Sequence, residues 1–207
     1  MQNTKNFIQH LVLVLCAAAV VFMITPSVSA EDFTVVALPD TQNYSESYPQ
    51  IYNGQTQWTA DNAASLNIKF VTHLGDLVNH AATASEWNNA HSAMATLDNA
   101  GMPYGTCVGN HDILYPGDYY DPAGVNYLGK FSPAKYAGKP WFGGASPSGL
   151  SNYQIISVNG REFLFLHLLI ETPPQELAWA QEILNANQEK ATWVSTHRYL
   201  FDWMVLG

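Results

Sequence analysis

The chain has 207 residues, 47% of them hydrophobic and 12% charged, which excludes a disordered, collagenous or coiled-coil protein and leaves a globular one with a sizeable core. Lys plus Arg total 8 against 17 Asp plus Glu, a net charge of −9. That balance speaks against nucleic acid as a scaffold partner, because a basic surface is what grips a phosphate backbone, and it favours solubility and local cation binding.

Residues 1–30 read as an address. Lys5 precedes an apolar run from Leu11 to Ile24, then Pro26 and the small-residue site Val28-Ser29-Ala30. This pattern predicts a secretory signal peptide cleaved after Ala30, and so a secreted or periplasmic protein with no membrane attachment after cleavage. The run is shorter than the roughly 20 apolar residues that span a bilayer. Leu15 before Cys16 is not the small residue that a lipoprotein anchor needs. Cleavage leaves Cys107 as the one thiol, so no intrachain disulfide forms, and its apolar surroundings predict an inert buried side chain.

Strand and helix then alternate. Phe33 to Leu38 reads as a buried strand ending at Pro39-Asp40, and Ile68 to Leu74 as a second ending at Gly75-Asp76, with a helix from Gln55 to Leu66 between them. Thr83-Ala84-Ser85-Glu86 has capping-box spacing, and Trp87, His91, Met94 and Leu97 or Asp98 follow at helical intervals until Gly101 and Pro103. A third strand, Tyr104 to Val108, ends at Gly109-Asn110-His111-Asp112.

From Ile113 to Asn152 the periodicity disappears while Tyr115, Tyr119, Tyr120, Tyr127, Tyr136, Trp141 and Phe142 accumulate. The segment reads as a long ordered loop, either facing substrate or pinned to the core by its rings. Tyr153 to Val158 and Glu162 to Leu169, joined by Asn159-Gly160, form a hairpin. Thr172-Pro173-Pro174-Gln175 opens a helix through Leu177, Ala180 and Leu184, and Ala191 to Ser195 is a strand ending at Thr196-His197-Arg198. Trp58, Trp87 and Trp179 at helical positions read as core anchors, and His73, His91, His167 and Glu171 as structural residues.

Strand ends therefore present Asp40-Thr41-Gln42, Gly75-Asp76, Gly109-Asn110-His111-Asp112 and His197 in turn, at the edge where open α/β sheets bind ligands. Carboxylate, amide oxygen and imidazole together suit Mn, Fe, Zn or Co. Two ions about 3.5 to 4 Å apart need a bridging anion between them, and Asp76, central in the order, is the candidate.

In this order and strand context, Asp40-x-Gln42, Gly75-Asp76-x-x-Asn79, Gly109-Asn110-His111-Asp112 and a strand-end His197 resemble the calcineurin-like metallophosphoesterase superfamily. The resemblance spans Val35 to His197. It implies an α/β fold, the layered α/β/β/α sandwich, in a metallophosphoesterase domain over 31–207. It also implies two divalent metal ions (Mn, Fe or Zn), with Asp40 and Gln42 on the first, Asp76 bridging, and Asn110 and His197 on the second. His111 would steady the phosphoryl oxygens or protonate the leaving group, while a metal-bridging hydroxide attacks a phosphomonoester or phosphodiester.

Departures refine that reading. Gln42, whose neutral amide oxygen is a poorer ligand than imidazole, stands where the superfamily usually has histidine. Asn79-His80 replaces the Asp-Arg pair of the protein Ser/Thr phosphatases, so the carboxylate that orients the catalytic histidine and the arginine that grips phosphate are expected to be missing, and protein phosphatase specificity is disfavoured. No tyrosine stands in Leu77-Val78-Asn79 to bind ferric iron. The superfamily's closing Gly-His-x-His does not occur before Gly207, and the apolar ending Phe201-Asp202-Trp203-Met204-Val205-Leu206-Gly207 predicts a C-terminally incomplete domain, itself inactive, of an enzymatic parent. The competing reading is a secreted carbohydrate-binding module that stacks sugars on the aromatic 115–153 segment.

Overall fold

The computed structural model describes residues 32–113 and 124–198. Residues 1–30, Tyr115, Tyr119, Tyr120 and the segment Phe201–Gly207 lie outside the described residues, so the expectations placed on them are carried no further by the fold.

The apolar runs form strands β1 (Thr34–Leu38), β2 (Ile68–His73) and β3 (Tyr104–Thr106), all parallel in one three-stranded sheet of order β1-β2-β3. In register, Leu38 faces His73 and His73 faces Thr106, so the three carboxyl ends finish level. A second sheet has the order β4 (Phe142–Ala145), β5 (Asn152–Val158), β6 (Arg161–Leu168) and β7 (Ala191–Thr196). The β5–β6 hairpin closes at the expected dipeptide: Val158 pairs with Arg161, and Asn159 and Gly160 both take positive φ, 53° and 77°, as a tight primed turn requires. Strand β7 joins β6 in parallel, with Leu168 opposite Thr196.

Alternation along the strands sorts the layers. On β2, Phe70 and Thr72 face the second sheet, while Val71 and His73 face helices α2 (Pro49–Asp61) and α3 (Ala84–Asn99). Trp87, Ala90, Ala93, Met94 and Leu97, one stripe of α3, pack on that helical side with Leu38, Val71 and Tyr104. Between the sheets Phe70 stacks on Phe165 with ring centroids 4.0 Å apart, beside Ile156 and Val158. On the far face Leu166 and Leu168 meet Ala180, Trp179 and Leu184 of α7 (Pro174–Ala186). The result is the expected α/β/β/α layering, and none of the described helices is long and apolar enough to cross a membrane.

Several details differ from the sequence expectations. The first helical stretch is Pro49–Asp61 rather than 55–66, and it follows α1 (Gln42–Ser47), a polar turn with no apolar stripe. Segment 113–152 is not a plain loop: it holds α4 (Asn110–Ile113) at its start, α5 (Val125–Phe131), α6 (Pro133–Tyr136) and β4. Tyr127, Phe131 and Tyr136 are buried in the helical-side core, with Trp141 and Phe142 partly buried against it, so these rings pin the segment down. Tyr127, Phe131 and Tyr136, buried in this way, offer no face on which a sugar could stack. Trp87 is 1% exposed and its indole Nε1–H donates to the Ala81 carbonyl at 2.7 Å, but Trp58 is 52% exposed and anchors no core. Thr83 makes no side-chain cap bond; Glu86 turns instead to the loop before it.

Candidate metal centre

Each motif sits where a strand stops. Asp40 follows β1, Asp76 follows β2, Asn110 opens α4 just beyond β3, and His197 follows β7. Oxygens of Asp40 and Asp76 and a ring nitrogen of His197 lie within 4.8 Å of one another. Asp76 is 2% exposed and left-handed at φ 50°, a strained conformation for a residue with a side chain. Its carbonyl accepts the Thr41 N–H at 3.1 Å, its Oδ1 accepts the His111 N–H at 2.9 Å, and its Oδ2 lies 3.0 Å from His197 Nε2.

Glycines make this approach possible. A Cβ on Gly109 would stand 2.0 Å from Asp76 Oδ1, and one on Gly75, itself at φ 96°, would meet the His197 Cβ at 2.8 Å and its ring Nδ1 at 2.9 Å. Position 109 needs glycine for space, whereas position 75 needs it for both space and backbone.

The histidines and the glutamine take defined orientations. His197 Nδ1 donates to the Leu74 carbonyl at 2.9 Å, which turns Nε2 toward Asp76 and is the tautomer a metal ligand requires. Burial works against the His197 cation, but the hydrogen bond and charge of Asp76 outweigh it and lift the pKa to about 9. His111 Nδ1 donates to the Asn79 carbonyl at 2.9 Å. Gln42 braces Asp40: its N–H donates to Oδ1 at 3.0 Å and its amide Nε2 to Oδ2 at 2.8 Å.

Asp112, singled out in the sequence only as part of its motif, is the fastener. It is fully buried; Oδ1 accepts the N–H groups of Leu77 and Val78 at 2.8 and 3.2 Å, and Oδ2 that of Gly109 at 2.8 Å. One carboxylate thus ties the Asp76 loop to the Asn110 loop. Burial and the neighbouring Asp76 charge push the Asp112 carboxyl well above its usual range, against the pull of those three N–H groups. The sequence signal for it was an acid directly after the histidine of a strand-end motif.

The donor set fits divalent cations. Two carboxylates and an imidazole converge, Asn110 adjoins them through the His111 N–H, and negative charge is concentrated enough to hold a proton on His197 and to raise Asp112. Residues 33–203 match the calcineurin-like phosphoesterase family. The chain belongs to that family.

Over 168 residues this family member is 35% identical to YvnB, an uncharacterized protein of Bacillus subtilis (strain 168); the match covers 81% of this chain and 13% of that protein. Among solved structures it is similar to the purple acid phosphatase PPD1 of yellow lupin seeds, with TM-score 0.44, 17% identity, and 75% of this chain and 28% of that chain covered. It is also similar to a dimetal phosphatase from Danio rerio, with TM-score 0.37, 14% identity, and 75% and 52% covered.

Proposed function

We propose that this calcineurin-like domain is the catalytic part of an exported phosphoesterase that uses two divalent cations to cleave phosphomonoesters or phosphodiesters. The observation that carries the proposal is the convergence of Asp40, Asp76 and His197 within 4.8 Å, with the His111 backbone hydrogen-bonded to the same Asp76. Asp40, Asp76, Asn110 and His197 would hold the cations, and Gln42 acts by bracing Asp40. When bound, such ions supply Lewis acidity toward phosphoryl oxygens and lower the pKa of water to about 7, which provides a nucleophile at neutral pH.

The chain's own residues do the rest. Asp76, clamped by His111 and Thr41 backbone bonds, is held rigid against the repulsion of its neighbours. His111 carries its ring proton on Nδ1 toward the Asn79 carbonyl, so Nε2 is the atom through which the ring holds or moves a proton at the leaving-group oxygen. Export rests on Lys5, the Leu11 to Ile24 run and Val28-Ser29-Ala30.

The test is hydrolysis of p-nitrophenyl phosphate and bis(p-nitrophenyl) phosphate by the full-length parent with manganese or zinc. Asp76→Asn and Asn110→Ala should each lower the rate about 100-fold or more, within the span of one lost catalytic contact. Equal activity in those variants removes the phosphoesterase reading. Secretion is checked separately: a mature protein beginning at Glu31 outside the cytoplasm supports it, and an intact Met1 in the cytoplasm refutes it.

A further inference from the structure

The loop after Asp76 is held by a residue from the next helix. Glu86, at the third position of α3 and 4% exposed, directs its carboxylate away from its own helix. Its Oε2 accepts the Asn79 N–H at 2.7 Å and the His80 N–H at 2.9 Å, and its Oε1 lies 2.8 Å from His80 Nδ1. A second carboxylate, Glu46, stands 3.7 Å from the same His80 nitrogen. Two successive amides bound to one buried oxygen fix the peptide planes of that turn, because charge-assisted bonds are about twice as strong as neutral ones. The next carbonyl, that of Asn79, is thereby aimed at His111 Nδ1, which reaches it at 2.9 Å. His111 in turn binds Asp76 through its own N–H.

We propose that Glu86 is the positioning residue of His111, acting through the Asn79 carbonyl to keep the ring proton on Nδ1 and to present Nε2 to the leaving-group oxygen. The carboxylate missing from the second motif is thus supplied from seven residues downstream of Asn79, one carbonyl removed from the ring. This inference rests on the reading that His111 serves the leaving group. In that step a water oxygen bonds to phosphorus and the P–O bond to the alcohol breaks with its electron pair on the leaving oxygen. For this step the ring, its Nδ1–H held by the Asn79 carbonyl, carries a second proton on Nε2; the leaving oxygen takes that proton, the neutral Nδ1–H ring remains, and a proton of the attacking water restores Nε2–H.

The test uses Glu86→Ala, Glu86→Asp and Glu86→Gln in the manganese-loaded full-length parent, with phenyl phosphate and p-nitrophenyl phosphate. Phenolate is the more basic leaving group and needs the proton; p-nitrophenolate does not. Ala and Asp should lower kcat for phenyl phosphate about 10- to 100-fold, the range for lost outer-shell partners, with p-nitrophenyl phosphate changed far less and KM held. Gln keeps an oxygen for the Asn79 and His80 amides and should retain most of the activity. Should Ala fail to fold, Asp carries the comparison.

A second readout is independent of activity: ring 15N NMR of the histidine-labelled, metal-free chain at fixed pH. It should show His111 as the Nδ1-protonated tautomer in the wild type and Glu86→Gln, and as a mixture in Ala and Asp. An unchanged tautomer in Ala and Asp, or an equal fall for both esters, overturns the proposal. If His111→Ala itself shows no discrimination between the esters, the leaving-group reading fails instead, and the tautomer measurement still decides the role of Glu86.

Discussion

Acid should loosen the contact between the two sheets, and His167 makes the effect measurable. The imidazole is fully buried on the inner face of β6, with Nε2 2.9 Å from the Thr72 hydroxyl of β2, and burial lowers its pKa to about 3. In the unfolded chain the value is about 6.5. Because the folded value is the lower, the unfolded state binds the extra proton: stability is full above about pH 6.5 and falls as pH drops toward 3. From pH 7 to pH 5 the loss is about 2 kcal/mol, close to 1.5 units at about 1.36 kcal/mol each. The figure depends only on the folded value lying well below 5. His167→Gln keeps a polar partner for Thr72 and removes the titration. Urea unfolding at pH 7 and pH 5 should therefore show the variant less stable at pH 7 yet losing about 2 kcal/mol less than the wild type on acidification. His73 is also lowered to about 3, first by burial and then by the His197 and His167 charges; the variant removes only the smallest of these causes, so the His73 contribution changes little between the two proteins. Equal losses in the two would refute this assignment of His167.

Two further outcomes test the centre. Gly109→Ala places a methyl group 2.0 Å from Asp76 Oδ1, so manganese affinity by calorimetry should fall at least about tenfold with the fold retained by circular dichroism; unchanged affinity would show that Asp76 is not a ligand. His197 must give up its proton to bind metal, and its metal-free pKa is about 9, so manganese binding between pH 7 and 8.5 should release about one proton and strengthen as pH rises, read by calorimetry in buffers of different ionisation enthalpy. The same elevation gives the metal-free chain stability that is full below about pH 6.5 and is lost as pH rises through 9.

Much of this architecture was legible in the sequence because buried parallel strands are contiguous apolar runs and their ends are abrupt. Asp40, Asp76, Asn110 and His197 could be placed at strand ends on that basis. What stayed hidden is held by hydrogen bonds rather than by apolar periodicity. Helix α1 carries no stripe; it is fastened by the Ser45 hydroxyl donating to the Leu77 carbonyl at 2.5 Å and by its own backbone bonds to Thr41. Glu86 has capping-box spacing, yet its carboxylate satisfies amides of a neighbouring loop, a choice that local sequence cannot express. Trp58 lies at a helical position like Trp87 and faces outward, since α2 offers its other side, with Tyr52, to the core.

The centre also depends on the seam between the sheets. Asp40, Asp76 and Asn110 come from the three-stranded sheet, whereas His197 comes from the other, so the distance from His197 to Asp76 is set by how the sheets are joined. That joint is polar near the site: Thr72 bonds His167, Thr72 meets the Ser195 hydroxyl at 3.4 Å, and the Asn152 amide donates to the Thr106 carbonyl at 3.0 Å. Gly105 lies against it, since a Cβ there would come within 2.4 Å of both Gln154 and His167. An apolar contact such as Phe70 on Phe165 holds the layers together but tolerates sliding, while directional bonds with short range do not. The polar seam thus converts sheet packing into a fixed gap between two ligands.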